Sequence, residues 1–245
     1  VNTPLVTTPP VNTPLVTTPP VTTSLAASPL VTPSLVTTLL VIAKEPRPGR
    51  VKTRLTPPFT PEEAAALAEA ALADTLSAAA RVPADRHVLV LDGRPGPWLP
   101  PGFEVVPQAG GGLDVRLAAA FAGCPGPALL IGMDTPQVTP ELLAPALRRD
   151  AYDAWFGSAA DGGFWALGLA RPDPSLLLGV PMSTPQTGAV QYARLRAAGL
   201  RVGTLPVLRD VDTASDARQV AAAAPGTRFA ARYDELTAAT TGAGR

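Results

Sequence analysis

Five cations crowd into eleven residues of this chain: Lys44, Arg47, Arg50, Lys52 and Arg54, in the run Lys-Glu-Pro-Arg-Pro-Gly-Arg-Val-Lys-Thr-Arg. The run follows residues 39–43, an apolar stretch that reads as a buried strand. Lys and Arg side chains, together with the backbone N–H groups of a glycine-containing loop, neutralise phosphate charge, so a phosphate chain is the natural ligand. Gly49 allows close approach of the backbone. A solvated basic turn has the same composition. No Gly-Lys-Ser/Thr completes a Walker A loop.

Carboxylates supply the opposite chemistry at three other places. Asp134 stands in Ile131-Gly132-Met133-Asp134-Thr135-Pro136, directly after an apolar run. An acid fixed by a sheet yet facing a crevice can hold a divalent cation, although a turn-forming Asp reads the same way. Asp210 and Asp212 point the same way in an extended segment, and one of them could join Asp134 on a metal. Thr213 and Asp216 have the spacing of a capping box, which makes Asp216 structural. Asp161 precedes Gly162, Gly163, Phe164 and Trp165. Asp-Gly is a hairpin signal, yet the glycine pair could let a substrate lie against the backbone with Asp161 facing it. After Pro107, Gln108 and Ala109, the glycines at 110–112 open a helix that carries Arg116. Such an opening exposes N–H donors to an anion or a base. A flexible loop is the competing reading.

Composition narrows these options. Among 245 residues, Lys+Arg and Asp+Glu are 20 each, so there is no global basic field of the kind a nucleic-acid binder carries. One cysteine, Cys124, excludes an intrachain disulfide and a Cys-type zinc site. One histidine, His87, excludes a multi-histidine site, so any metal rests on oxygen ligands, which favours Mg²⁺ or Mn²⁺. His87 and Cys124 themselves read as structural. No apolar run reaches the roughly 18 residues of a membrane span.

The elements that must position these residues follow from periodicity and caps. Residues 1–38 stand apart: Val-Asn-Thr-Pro-Leu-Val-Thr-Thr-Pro-Pro occurs twice, followed by two degraded copies. Frequent Pro and little burial capacity predict an extended or disordered segment, either a linker or a repeat without function. It lacks the basic start of a signal peptide, so the expected setting is cytoplasmic. Residues 39–225 alternate strand and helix signals. Strands are expected at 39–43, 87–91, 104–107, 128–132, 154–156, 164–169 and 201–205. Helices are expected at 60–80, 113–122, from 139 onward, at 189–198 and at 213–224. Thr60, Pro61 and Glu63 spell a helix start with a capping box. Residues 226–245 form a C-terminal tail of unassigned structure. The alternation predicts an α/β domain, three-layer, with a mainly parallel sheet. Ligands of such sheets sit at the carboxyl ends of the strands, where all the motifs above fall.

In their order, these motifs closely resemble a bacterial family of the nucleotide-diphospho-sugar transferase superfamily. Six segments carry the resemblance over residues 39–222: the basic loop, Pro107-Gln108 with the glycine run and Arg116, Gly132-x-Asp134-x-Pro136, Asp161-Gly162-Gly163, Val180-Pro181-Met182-Ser183-Thr184, and Asp210-Val211-Asp212-Thr213. The family is known as glycosyltransferase-like or radical-SAM/selenodomain-associated transferases. It is more distantly similar to molybdopterin and 2-phospholactate guanylyltransferases. The resemblance implies a glycosyltransferase-A-type fold. Lys44, Gly49, Lys52, Arg54, Gln108 and Arg116 are then expected on a nucleotide, with Lys52 and Arg54 at its phosphates. Asp134 and Asp212 are expected on Mg²⁺. Asp161, Gly162, Gly163, Ser183 and Thr184 are expected near a small acceptor, and Lys52, Asp134 and Asp161 as the catalytic set. Met182 replaces the family's usual Trp, Phe164 its Tyr, and Asp114-Val115 its Gly-Glu.

The expected function is metal-dependent transfer from a nucleotide. In nucleotidyl transfer from an NTP, an acceptor phosphate or carboxylate is already ionised and needs no general base. The alternative is glycosyl transfer from a nucleotide sugar, which needs a carboxylate base, with Asp161 as candidate. A non-catalytic nucleotide-binding module is the third possibility.

Overall fold

The computed structural model describes residues 37–148 and 152–242. Of the segment set apart as residues 1–38, only Thr37 and Thr38 fall among the described residues, and both are buried. Seven strands form one sheet: β1 (Thr38–Lys44), β2 (Arg86–Asp92), β3 (Phe103–Pro107), β4 (Ala128–Gly132), β5 (Ala154–Ala159), β6 (Phe164–Leu169) and β7 (Val202–Leu208). Their spatial order is β3-β2-β1-β4-β6-β5-β7. Only β6 runs against its neighbours; β3, β2, β1 and β4 pair in parallel, as do β5 and β7. This is the α/β, mainly parallel sheet that the alternating pattern predicts.

The central strands read as continuous apolar runs because both faces of the sheet are covered. On one face, Leu39, Val41, Leu89, Leu91, Leu129 and Ile131 pack with Leu72 and Leu76 of α1 (Pro61–Ala79). On the other, Leu40, Val88, Val90 and Leu130 meet Leu117 and Phe121 of α2 (Leu113–Ala122). Each fully buried Leu or Phe contributes roughly 1.5–3 kcal/mol of transfer free energy. Thr60 caps α1 as its sequence predicts: its hydroxyl accepts from Glu63 N–H and Glu63 accepts from Thr60 N–H. Such a cap contributes about 1 kcal/mol.

The helix expected from Thr139 is a single turn, α3 (Pro140–Leu143), which tightens at Pro145 into a 3₁₀ turn (Ala144–Leu147). Pro145 lacks the N–H that would continue the α pattern. Then come α4 (Thr187–Ala197) and α5 (Ala214–Ala223). Residues 226–245, left unassigned by sequence, contain α6 (Arg228–Gly242). Phe229 of α6 is fully buried in a third cluster with Leu67 of α1 and Val220 of α5. Asp74 anchors the start of α6 by accepting from the N–H groups of Arg228 and Phe229. His87 and Cys124 have structural surroundings: His87 Nε2 lies 3.1 Å from the Val82 carbonyl oxygen, and burial pushes the Cys124 thiol up. No described helix is long and apolar enough to cross a membrane.

Candidate functional site

Because β1, β4, β5 and β7 run parallel, the loops that follow them meet at one pole of the sheet. Backbone bonds lock them together there. Val211 N–H donates to Asp134 O at 2.9 Å, and Ala160 N–H to Leu208 O at 2.8 Å. The Gln137 side chain donates to Arg209 O at 2.7 Å.

The loop after β1 does not run past this pole; it dips into it. Val51 and Leu55 are buried, and Lys52 between them adopts a left-handed conformation, φ 49° and ψ 37°, ahead of a 3₁₀ turn (Thr53–Leu55). The turn reverses the chain, so that Lys52 points inward. Its side chain is only 8% exposed, and its ammonium lies 2.8 Å from Asp134 Oδ2 and 2.9 Å from Asp212 Oδ1. Burial alone would lower the Lys52 pKa. The attraction of Asp134 and Asp212, with their hydrogen bonds, outweighs it and holds the ammonium above its usual value. Arg54, largely exposed, takes the other oxygen of Asp212 at 2.9 Å. Lys52, Arg54, Asp134 and Asp212, drawn from three loops, thus form one ionic cluster.

Asp210 belongs to the same cluster. Burial, then the charges of Asp134 and Asp161, push its carboxyl up to about 7, against the pull of Lys52. From sequence, either Asp210 or Asp212 could join Asp134, and the resemblance selects Asp212. The period-two spacing was the available signal, and it places both acids at this pole.

Arg47 pairs with Glu45 at 2.8 Å, and Glu45 also accepts from Arg94 N–H. Lys44 and Gly49 are exposed, with Gly49 at φ +71°.

Asp161, Gly162, Gly163, Ser183 and Thr184 lie where the β5–β6 turn meets the start of α4. Asp161 is exposed at the β5–β6 turn, where its Oδ1 accepts from Gly163 N–H at 2.8 Å. Gly162, at φ +91°, lies so close to the chain that a Cβ there would sit 2.0 Å from the Pro185 carbonyl oxygen. Gly188 N–H donates to Gly162 O, and Thr187 Oγ1 bonds Thr184 N–H. The turn and the start of α4 are therefore one interlocked unit. Ser183 is exposed at φ 59°.

Gln108 and Arg116 line a cleft of about 440 Å³ between α2 and the β1–β2–β3 side of the sheet. Gln108 donates to the carbonyls of Ala43 and Val90 and accepts from Arg116. Its amide is committed to joining the ends of β1 and β2. Arg116 Nε is buried without a hydrogen-bond partner among the described residues.

The donor set suits a hard divalent cation. Asp134 Oδ1 and Asp210 Oδ1 are buried acceptors with no hydrogen bond among the described residues. Among those residues, no group of three or more His, Cys, Asp or Glu side chains is arranged to hold a metal ion. A cation here would rest on a pair of carboxylates plus oxygens brought by a substrate, which is the usual habit of Mg²⁺.

Residues 64–184 match a family model described as "uncharacterized protein conserved in bacteria (DUF2064)". That span includes Asp134 and Asp161 but neither Lys52 nor Asp212. No curated protein matches the sequence. Among solved structures, a "putative nucleotide-diphospho-sugar transferase" from Desulfovibrio desulfuricans G20 is 27% identical, with TM-score 0.74 over 82% of this chain and 95% of that one. Rv0371c from Mycobacterium tuberculosis H37Rv, solved in complex with manganese, is 22% identical, with TM-score 0.47 over 76% of this chain and 97% of that one. The 2-C-methyl-D-erythritol 4-phosphate cytidylyltransferase of Thermus thermophilus is 16% identical, with TM-score 0.48 over 78% of this chain and 98% of that one. By its likeness to the Desulfovibrio structure, this chain has the fold of the nucleotide-diphospho-sugar transferase superfamily.

Proposed function

We propose that the chain transfers a nucleotidyl group from an NTP to a small phosphate- or carboxylate-bearing acceptor, with Mg²⁺ or Mn²⁺ on Asp134 and Asp212. The observation that carries this reading is the ionic cluster of Lys52, Arg54, Asp134 and Asp212 at the carboxyl ends of β1, β4 and β7. In the reaction an acceptor oxygen attacks the α-phosphorus, the Pα–O–Pβ bond breaks, and pyrophosphate leaves with the bonding electrons. Lys52 and Arg54 place positive charge where the pyrophosphate charge develops. Asp134 and Asp212, fixed by β4 and β7, would hold the cation, which when bound would supply Lewis-acid neutralisation of phosphate charge. The interlocked wall of Gly162, Gly163, Ser183 and Thr184 shapes the acceptor side.

Glycosyl transfer would call on Asp161 as its base; that carboxylate is exposed and accepts from Gly163 N–H through one oxygen. An already ionised acceptor does without that base. The test is a thermal-shift screen of NTPs and nucleotide sugars with and without Mn²⁺, followed by product analysis. Stabilisation by an NTP and release of pyrophosphate support nucleotidyl transfer. Stabilisation by nucleotide sugars, with release of a nucleoside diphosphate, would replace it by glycosyl transfer.

A further inference from the structure

Lys52 occupies the position from which Asp134 and Asp212 would share a cation. Its ammonium bridges Asp134 Oδ2 and Asp212 Oδ1 at 2.8 and 2.9 Å, while Arg54 takes Asp212 Oδ2 at 2.9 Å. Both oxygens of Asp212 are therefore engaged by cations, and Asp134 keeps only Oδ1 free of hydrogen bonds among the described residues. A divalent ion and an ammonium packed against the same two carboxylates repel, and the weak screening of a buried site strengthens that repulsion.

We propose that Lys52 is an internal counter-ion that competes with the metal for Asp134 and Asp212, so that the metal binds weakly on its own and tightly once a ligand phosphate draws Lys52 away. The inference rests on the reading of this pole as a metal–nucleotide site and adds its order of assembly: metal and nucleotide bind together or not at all tightly. By linkage, whatever helps the metal displace Lys52 helps the phosphate capture it, and the reverse.

Two features fit a releasable counter-ion rather than a fixed ion pair. The chain holds only two lysines, Lys44 and Lys52, against 18 arginines. A guanidinium would clamp carboxylates in a planar fork, whereas an ammonium on a four-carbon stem can swing between partners. Lys52 also stands at a tight backbone reversal, left-handed ahead of a 3₁₀ turn, from which its ammonium reaches both carboxylates.

The test uses Mn²⁺ alone, titrated into nucleotide-free protein and followed by the electron-spin resonance signal of free Mn²⁺. Lys52→Met is expected to bind Mn²⁺ more tightly than the unaltered protein, by at least about fivefold, the lower end of typical coupling between sites. Adding Asp134→Asn to that variant is expected to remove the gain. Equal or weaker Mn²⁺ binding by Lys52→Met overturns the proposal. A second measurement needs no variant. A short pulse of acetic anhydride is expected to label exposed Lys44 equally with and without Mn²⁺, but to label Lys52 more as Mn²⁺ rises. Lys52 labelling that stays flat through the Mn²⁺ titration overturns the competition even if Lys52→Met does not fold. Because Mn²⁺ alone is the probe, absence of any nucleotide-induced thermal shift would refute the transferase reading while leaving this result standing.

Discussion

Asp210→Asn offers the most direct test of the electrostatics at the strand ends. In the unfolded chain the Asp210 carboxyl ionises near 3.8; in the fold, burial and the charges of Asp134 and Asp161 raise it to about 7. The direction of the resulting pH dependence follows from proton counting. Below pH 3.8 the group is neutral in both states and nothing is lost. Between 3.8 and about 7 the folded state keeps a proton that the unfolded state has released, so stability falls as pH rises. Above about 7 the loss is complete, and a displacement of this size corresponds to about 4 kcal/mol. Asparagine has the shape of the carboxyl but no charge. Its amide brings N–H donors that need partners, and an unmet donor costs about 1–3 kcal/mol. The net expectation is a variant more stable than the parent by about 1–3 kcal/mol at about pH 8 without divalent ions. That advantage should shrink steadily toward about pH 4. Urea unfolding at a series of pH values, with EDTA, measures both quantities. A variant less stable than the parent on the alkaline side, or an advantage independent of pH, would refute the reasoning.

Three further outcomes follow from single contacts. Lys52→Ala should weaken binding of the nucleotide found in the thermal-shift screen by about 1.5–3 kcal/mol, the worth of a charged hydrogen bond, measured by calorimetry in the presence of Mn²⁺. Gly162→Ala should cost more than about 1 kcal/mol of stability, since it adds a Cβ against the Pro185 carbonyl at positive φ; an unchanged urea midpoint would show that the wall can give. Phe229→Ala should cost about 3–5 kcal/mol by leaving a cavity among α1, α5 and α6; a loss under about 1 kcal/mol would mean that α6 is not part of the core.

Much of the scaffold was legible in the sequence because its signals are local. The apolar runs at β1, β2 and β4, the Thr60–Glu63 and Thr213–Asp216 caps, and the Asp-Gly turn each fix an element within a few residues. The 3₁₀ turn after α3 and the packing of α6 were harder. The first depends on a proline placed mid-pattern. The second depends on Phe229 reaching partners far back in the chain, including Leu67, which periodicity does not encode. The site shows the same division. The strand-end positions of Lys52, Asp134 and Asp212 follow from alternation, but the left-handed turn that buries Lys52 between two carboxylates is a tertiary event. So is the commitment of Gln108 to the carbonyls of β1 and β2, which leaves its amide tied to the scaffold beside Arg116.

The charge balance at the pole links these observations to the proposed chemistry. Asp134, Asp210 and Asp212, with Asp161 near enough to act on Asp210, outnumber Lys52 and Arg54, so with every carboxylate ionised this inner cluster is net negative although Lys44 and Arg50 add positive charge in the same loop. A phosphate brought against those carboxylates alone would be repelled. The rise in the Asp210 pKa expresses the same crowding, because holding a proton is one way to reduce it. Bringing in a divalent cation would be the other, and on the proposed reading it would free Lys52 to face the phosphates. A nucleotide arriving with its metal would then meet an attractive cluster in place of a repulsive one. Nucleotide affinity should therefore rise steeply with divalent cation in the unaltered protein, and less steeply once Asp210 is replaced by Asn and the pole has one charge less to offset.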